Sequence, residues 1–518
     1  MGSGGWWYRL VPGLVAAMML AVAPVAASGW HRADGPNFRI HGARAPAELA
    51  EQVRLLEAFR HVVAELQGRN PAEPGARLDV FLVSSPADAS PWLPLRPGVA
   101  GFYRADVGRI SAFIVDRPPR GAFDVDRREV LLHEVAHHLL LAGGLAWPAW
   151  YVEGFADYVA TARFEADRVE LGRAGANRLG WLRQGDWLPL EQVLRFDPER
   201  ASPADVPRLY AQGWLLTHWL RHDEDRARRL KAYLEACAAG ADPVEAFRRH
   251  VAADLRDVEA SLRAYLADGP PILTRPLQWA YSSAAVRPAA LPRSAGTLLM
   301  RLVAMEHGML PADRNRALAD VRRLAMARAA SDPLAARTLA RAELLLGNPE
   351  VAASVAARLV ETGDAEPDLL RLRADSLRSV AGRDPIRNRA DARDALLAAL
   401  AADPQDWQAR HGLARLDRIE GRDALPHLVA AHRLAPQVKA ITLETAVALA
   451  RAGRAGEAAD LLADVAHAPG GGAASELAAR MRAHALRGDD AALIAEVARL
   501  GAAPTVAATQ GERPGQLR

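Results

Sequence analysis

Residues 127–143 read RREVLLHEVAHHLLLAG, and the rest of the chain is read outward from this run. Val130, Leu131, Val135, Leu139 and Leu140 recur at helical spacing and predict a helix apolar enough to be buried. His133, Glu134 and His137 lie inside it, and ionisable groups in a buried helix need partners. His133 and His137 are four residues apart. Both imidazoles therefore project from one face, one turn apart, at a separation that suits a single tetrahedral cation. Glu134 leans toward the same cavity, where it can take a proton from a water that the cation activates. His138 points about 100° away from His137 around the helix and is read as lying outside the ligand set.

A catalytic cation site needs a third protein ligand and an open fourth position. Residues 148–160, PAWYVEGFADYVA, offer that ligand. Glu153 lies sixteen residues after His137, and the Gly143–Gly144 turn lets the chain reverse. A second helix can then pack antiparallel and aim Glu153 at the histidine pair. Asp157 is one turn further along the same face, placed to accept a hydrogen bond from the far ring nitrogen of a ligand histidine. Direct ligation by Asp157, or an approach by His218 from THWL at 217–220, are the other readings. The expected ligands of a Zn2+ ion are His133, His137 and Glu153, with Glu134 as general base. Cys237 is the single cysteine, so a cysteine-rich metal site and an intramolecular disulfide are both excluded.

These two segments resemble the gluzincin metallopeptidases. In thermolysin-like enzymes an HExxH helix is followed by a glutamate ligand in an E-x-x-x-D pattern, which Glu153 and Asp157 match. HEVAHHLL followed by PAWYVEGFADYVA is most similar to the bacterial peptidase MA-like families, with a Pro and a Trp before an EG-x-A-[DE]-Y segment. Weaker similarity at Trp187–Leu190, at Tyr210–Trp214 and at 240–265 extends the resemblance over roughly residues 36–268. It implies a zinc-dependent peptidase with a small sheet, an active-site helix and a helical subdomain. It implies that Tyr210, in a later helix, donates to the oxyanion; read from its own neighbours, Tyr210 is equally a packed helix residue. It also implies that the edge strand of the sheet pairs with the substrate backbone. The run Arg109–Val115, just before the active-site helix, is the candidate for that strand.

The remaining segments are placed around that core. Residues 1–28 carry Arg9, an apolar core from Val11 to Val22 and the small residues Val25, Ala26 and Ala27. This is the pattern of a secretory signal peptide cleaved after Ala27 or Ser28; the other reading is a retained N-terminal anchor. The mature chain is then expected in the periplasm or outside the cell, with no membrane span of its own. Within 29–268, Phe38–Ile40, Arg77–Val83 and Arg109–Val115 predict strands, with a loop between the last two. Residues 47–66 predict a helix with Leu49, Val53, Leu56, Phe59 and Val63 on one face. Pro270, Pro271, Pro276, Pro288 and Pro292 mark 269–295 as a linker. From 296 to 501 the chain is alanine-rich and helical, and Pro333, Pro367, Pro404, Pro436 and Pro469 recur at spacings of 34, 37, 32 and 33. Pro311, Pro349, Pro385 and Pro426 fall outside that series. The period and the helix–turn–helix layout resemble tetratricopeptide repeats, which stack to bury a core and offer a concave binding face. Residues 502–518 read as a frayed tail. The expected fold class is an α+β zincin-like metallopeptidase domain followed by an all-α tetratricopeptide-like solenoid.

Composition narrows the function further. The 518 residues hold 65 basic and 62 acidic side chains, a formal net charge of +3. Aromatics are not interleaved with basic stripes, so there is no nucleic-acid footprint. Nearly all the positive charge is Arg; Lys231 and Lys439 are the only lysines. Cys237 sits in an apolar helical stretch and reads as a small buried residue. A phosphate-binding loop, a dinucleotide fingerprint and a Gly-x-Ser-x-Gly elbow are all missing. No Gly-x-Met-x-Asn motif lies near Arg109–Val115, which argues against an aminopeptidase. Two function classes remain. One is an exported zinc metallopeptidase acting on a peptide or protein substrate, whose repeat array binds a protein partner or presents that substrate. The other is an inactive peptidase-like scaffold whose array mediates protein–protein binding.

Overall fold

The near-continuous apolar runs around Val80 and Phe113 form the centre of a sheet, and strands of that composition are buried on both faces. The computed structural model describes residues 29–85, 100–116, 126–144, 146–197, 200–277, 285–363, 366–380, 384–469 and 472–502. The segment read as a signal peptide and the tail from 503 onward lie outside the described residues. The described strands are β1 (His31–Asp34), β2 (Phe38–Gly42), β3 (Leu78–Val83), β4 (Gly101–Asp106), β5 (Arg109–Val115), β6 (Arg163–Phe164), β7 (Arg168–Leu171), β8 (Leu273–Pro276) and β9 (Arg287–Ala290). Six of them form a mixed sheet in the order β4-β5-β3-β2-β1-β9. The β2–β3 and β3–β5 pairs are parallel, and the outer pairs are antiparallel. A second sheet has the order β6-β7-β8.

Two sequence expectations change here. Arg109–Val115 is an interior strand, flanked by β4 and β3; the edge strand on that side is β4, which the loop reading of that region passed over. The stretch 269–295 is not a spacer, because it supplies β8 and β9, each pairing with an earlier part of the chain. Pro276 and Pro288 sit in these two strands. Both strands are sheet edges, where a residue without an N–H costs no ladder bond.

Side chains alternate across the strands. Leu78, Val80, Leu82, Ala112 and Ile114 face α1 (Pro46–Leu66) and the helix α2 (Arg127–Leu141) in one core. The predicted stripe Leu49, Val53, Leu56, Phe59 and Val63 is wholly buried there. Helices α3 (Ala149–Ala160), α4 (Ala176–Arg183), α5 (Leu190–Leu194), α6 (Val206–Arg221), α7 (Glu224–Ala238), α8 (Pro243–His250) and α9 (Leu255–Asp268) complete this part. Cys237 is buried in it, as expected.

The opposite sheet face, Phe81, Val83, Phe102, Phe113 and Val115, packs against α10 (Ala295–Glu306), α11 (Arg314–Ala325) and α12 (Pro333–Leu346). Phe113 stacks between Phe102 and Phe81, with centroid separations of 4.3 and 5.4 Å. From α10 onward every described element is helical. The series continues through α13 (Pro349–Glu361), α14 (Pro367–Ser379), α15 (Pro385–Ala402), α16 (Trp407–Ile419), α17 (Leu425–Leu434), α18 (Lys439–Arg451), α19 (Ala455–Ala466), α20 (Gly472–Leu486) and α21 (Asp490–Ala502). Successive helices pack on one another. The prolines set this register. Pro333 and Pro367 open α12 and α14, while Pro349 and Pro385, outside the 34-residue series, open α13 and α15. A residue with fixed φ and no N–H suits the first helical turn, where that donor has no partner. The chain is thus an α+β part joined to an all-α part, and no described helix is long and apolar enough to cross a membrane.

Candidate metal centre

Helix α2 begins at Asp126, whose carboxylate accepts from the Arg128 N–H and caps the first turn. The next helix, α3, packs on α2 and is pressed onto α6. Gly154 and Gly213 make that approach possible, since a Cβ on Gly154 would run into the Gly213 carbonyl. This packing brings the predicted residues together. The facing Nε2 atoms of His133 and His137 are 3.0 Å apart, and Glu153 Oε2 lies 3.3 and 3.6 Å from them. All three residues are buried.

This cluster could hold a metal ion. Tetrahedral bonds of ~2.0–2.1 Å hold neighbouring donors ~3.3 Å apart, which the three separations bracket. Glu153 Oε2 has no hydrogen-bond partner in its buried position, so the donor atom is unclaimed by the protein. Lone pairs facing one another across about 3 Å repel, and a cation or a shared proton between them relieves that.

The ring orientation is fixed from behind. Asp157 Oδ1 accepts from His133 Nδ1 at 3.0 Å, which turns Nε2 toward the cluster. Asp157 is itself held by Arg178, through Nε to Oδ2 at 2.7 Å and Nη2 to Oδ1 at 2.9 Å. Both Asp157 oxygens are therefore engaged away from the cluster. Burial alone would raise the Asp157 pKa, and the Arg178 guanidinium outweighs it and holds the carboxyl below its usual range. Burial opposes protonation of His133, but its bond to Asp157 and the nearby Glu153 carboxylate prevail and raise its pKa to about 10. His137 lacks such a partner, and burial lowers it to about 4.

Glu134 is fully buried, and neither carboxylate oxygen has a hydrogen-bond partner. Burial pushes its pKa up to about 8. The edge strand β4 lies directly against it, because a Cβ on Gly101 would sit 3.0 Å from Glu134 Oε1. Tyr210 comes from α6, with its ring stacked on that of His133 at a centroid separation of 6.3 Å. The Arg178 guanidinium lies 5.0 Å from the centroid of the Tyr210 ring. A cavity of about 130 Å³ opens beside His133, bounded by Glu129, Asp157, Asn177, Arg178 and Trp214.

Other readings resolve against this geometry. His218 has both ring nitrogens engaged elsewhere, with the Tyr265 hydroxyl at 2.9 Å and the Gly172 carbonyl at 3.0 Å. His138 is buried and faces away from the cluster, toward Tyr103 and Gln437. Arg178 is the site residue that sequence reasoning missed. It lies on a different helix from its partner, in ANRLGWLR, which carries no motif. No protein-family model matches the chain, and no curated protein matches its sequence.

Proposed function

We propose that the chain is an exported, zinc-dependent metallopeptidase of the gluzincin type, similar to the peptidase MA-like families, with tetratricopeptide-like repeats behind the catalytic part. One observation carries this reading: an unclaimed donor triangle of His133, His137 and Glu153 beside a buried carboxylate, Glu134, without hydrogen-bond partners. A donor set of two imidazoles and one carboxylate with no thiolate suits zinc. Bound there, zinc polarises a carbonyl and acidifies a water molecule.

The protein's own groups supply the rest. Glu134, destabilised as an anion by burial, takes a proton from the attacking water and hands it to the leaving amine. Asp157 holds the His133 proton on Nδ1, and Arg178 holds Asp157. Tyr210, close to both His133 and Arg178, is the proposed donor to the oxygen of the tetrahedral species. The edge strand β4, rather than Arg109–Val115, offers main-chain groups to an extended peptide. Export rests on residues 1–28, whose composition is that of a signal peptide.

The array's helices already engage the chain's own sheet, which favours an enzyme with a built-in support over an idle peptidase fold carrying a recruiting array. The test is cleavage of a peptide library by the zinc-loaded full chain beside Glu134→Gln. Hydrolysis lost in the variant, with zinc still bound, supports the reading. No hydrolysis by the loaded wild type, or equal hydrolysis by both, removes it.

A further inference from the structure

The helical array touches the α+β part at several places, among them β1, β2 and β5, and two sets of these contacts bear on one element, the edge strand β4. An edge strand has hydrogen-bonded neighbours on one side only and is among the first elements of a sheet to open. At the end of β4 far from Glu134, the Gln408 side chain donates to the Gly108 carbonyl at 2.7 Å, in the turn between β4 and β5. Gly108 also lies so close to the Glu306 backbone that a Cβ there would overlap it. Arg104 donates to the His307 carbonyl at 3.2 Å, and the His307 ring is paired with Asp106 at 2.6 Å.

Nearer Glu134, the contact runs through His138. Its Nε2–H donates to the Ala76 carbonyl at 3.2 Å, so Nδ1 is the acceptor. Two donors converge on that atom, the Tyr103 hydroxyl of β4 and Gln437 Nε2 of the array, each at 3.3 Å. Gln437 is buried between α17 and α18, in a segment whose Leu434 carbonyl also accepts from the Ala76 N–H at 2.7 Å. One buried imidazole thus joins the active-site helix, the edge strand, the segment before β3 and the array.

We infer that the array is an intramolecular clamp, with Gln437 and Gln408 as positioning residues that hold β4 in register against Glu134. Its consequence for substrate rests on the peptide-binding role of β4 proposed above; the clamp itself does not. Gln437→Leu keeps the volume and leaves Tyr103 bonded to His138, so the fold survives. Gln408→Ala removes a half-exposed side chain. The experiment is hydrogen exchange on the full chain, read at residues 101–106, with helicity and zinc content measured alongside. Each substitution should speed exchange there by roughly two- to tenfold, and the pair together by more, with β2 unchanged and zinc retained. Peptide KM should rise with kcat little changed. Unchanged exchange at 101–106 in both variants overturns the clamp. Faster exchange in a protein whose wild type cleaves no peptide keeps the clamp and removes the peptidase reading instead.

Discussion

Arg178→Met tests whether the buried ion pair behind His133 supports the site. Arg178 and Asp157 are both buried, and their two hydrogen bonds are 2.7 and 2.9 Å long. Methionine keeps much of the packing of the arginine stem but removes the guanidinium. Asp157 would then stay buried with its bond to His133 as its only compensation. Removing one partner of a buried pair costs ~3–5 kcal/mol, and the surviving bond sets the expectation at the lower end, about 3 kcal/mol. Asp157→Asn strands the Arg178 charge and should cost a similar amount. The double variant leaves no unpaired charge, so its loss should fall short of the sum by about 2 kcal/mol. The assay is urea unfolding of the full chain followed by tryptophan fluorescence, since Trp150 and Trp214 lie in this core. A chelator keeps metal affinity out of the comparison. A cost for Arg178→Met below about 0.5 kcal/mol, or strict additivity in the double variant, would refute the reasoning.

Further outcomes follow from the same geometry. Asp157→Asn should weaken zinc binding about 10–100-fold in a chelator competition, because His133 loses the group that orients it. Gly154→Ala should lower the urea midpoint by an amount worth about 1–3 kcal/mol, since its Cβ would collide with the Gly213 carbonyl. His218 and His432 are held neutral by burial, with folded pKa values of about 3 and about 4. These lie below the unfolded value, so the unfolded chain binds protons first as pH falls. Melting temperature should therefore drop from about pH 6.5 toward pH 4, and this component should vanish in the Gln variants. Glu366 behaves in the lower window. Burial opposes its ionisation, but Arg32 and Arg337 lower its pKa to about 2. Its contribution, present above the ordinary glutamate range, should be lost as pH falls from about 4.5 to 2, seen as faster exchange in β1 and α14.

The His–Glu cluster was legible because its signal is local. His133, His137 and Glu134 share one helix, and Glu153 and Asp157 share the next, so spacing alone placed them. Arg178 was not legible, because its role exists only after α4 packs beside α3. The edge strand was hidden for a different reason. GFYRAD begins with glycine, carries two charges and follows a proline-rich stretch, so it lacks a strand's composition, and the Gly101 that weakens the pattern is what lets the strand lie on Glu134. The docking of the array did leave a trace. LDVFLV and RISAFIV are apolar on both alternating faces, which requires a second covering layer. The linker reading of 269–295 took proline as a breaker, whereas Pro276 and Pro288 sit on sheet edges that tolerate it.

The most direct test is metal content. Elemental analysis of the purified full chain, beside Glu153→Ala, should give close to one zinc per chain in the wild type and clearly less in the variant. No bound metal in either protein after incubation with zinc at neutral pH would contradict the account.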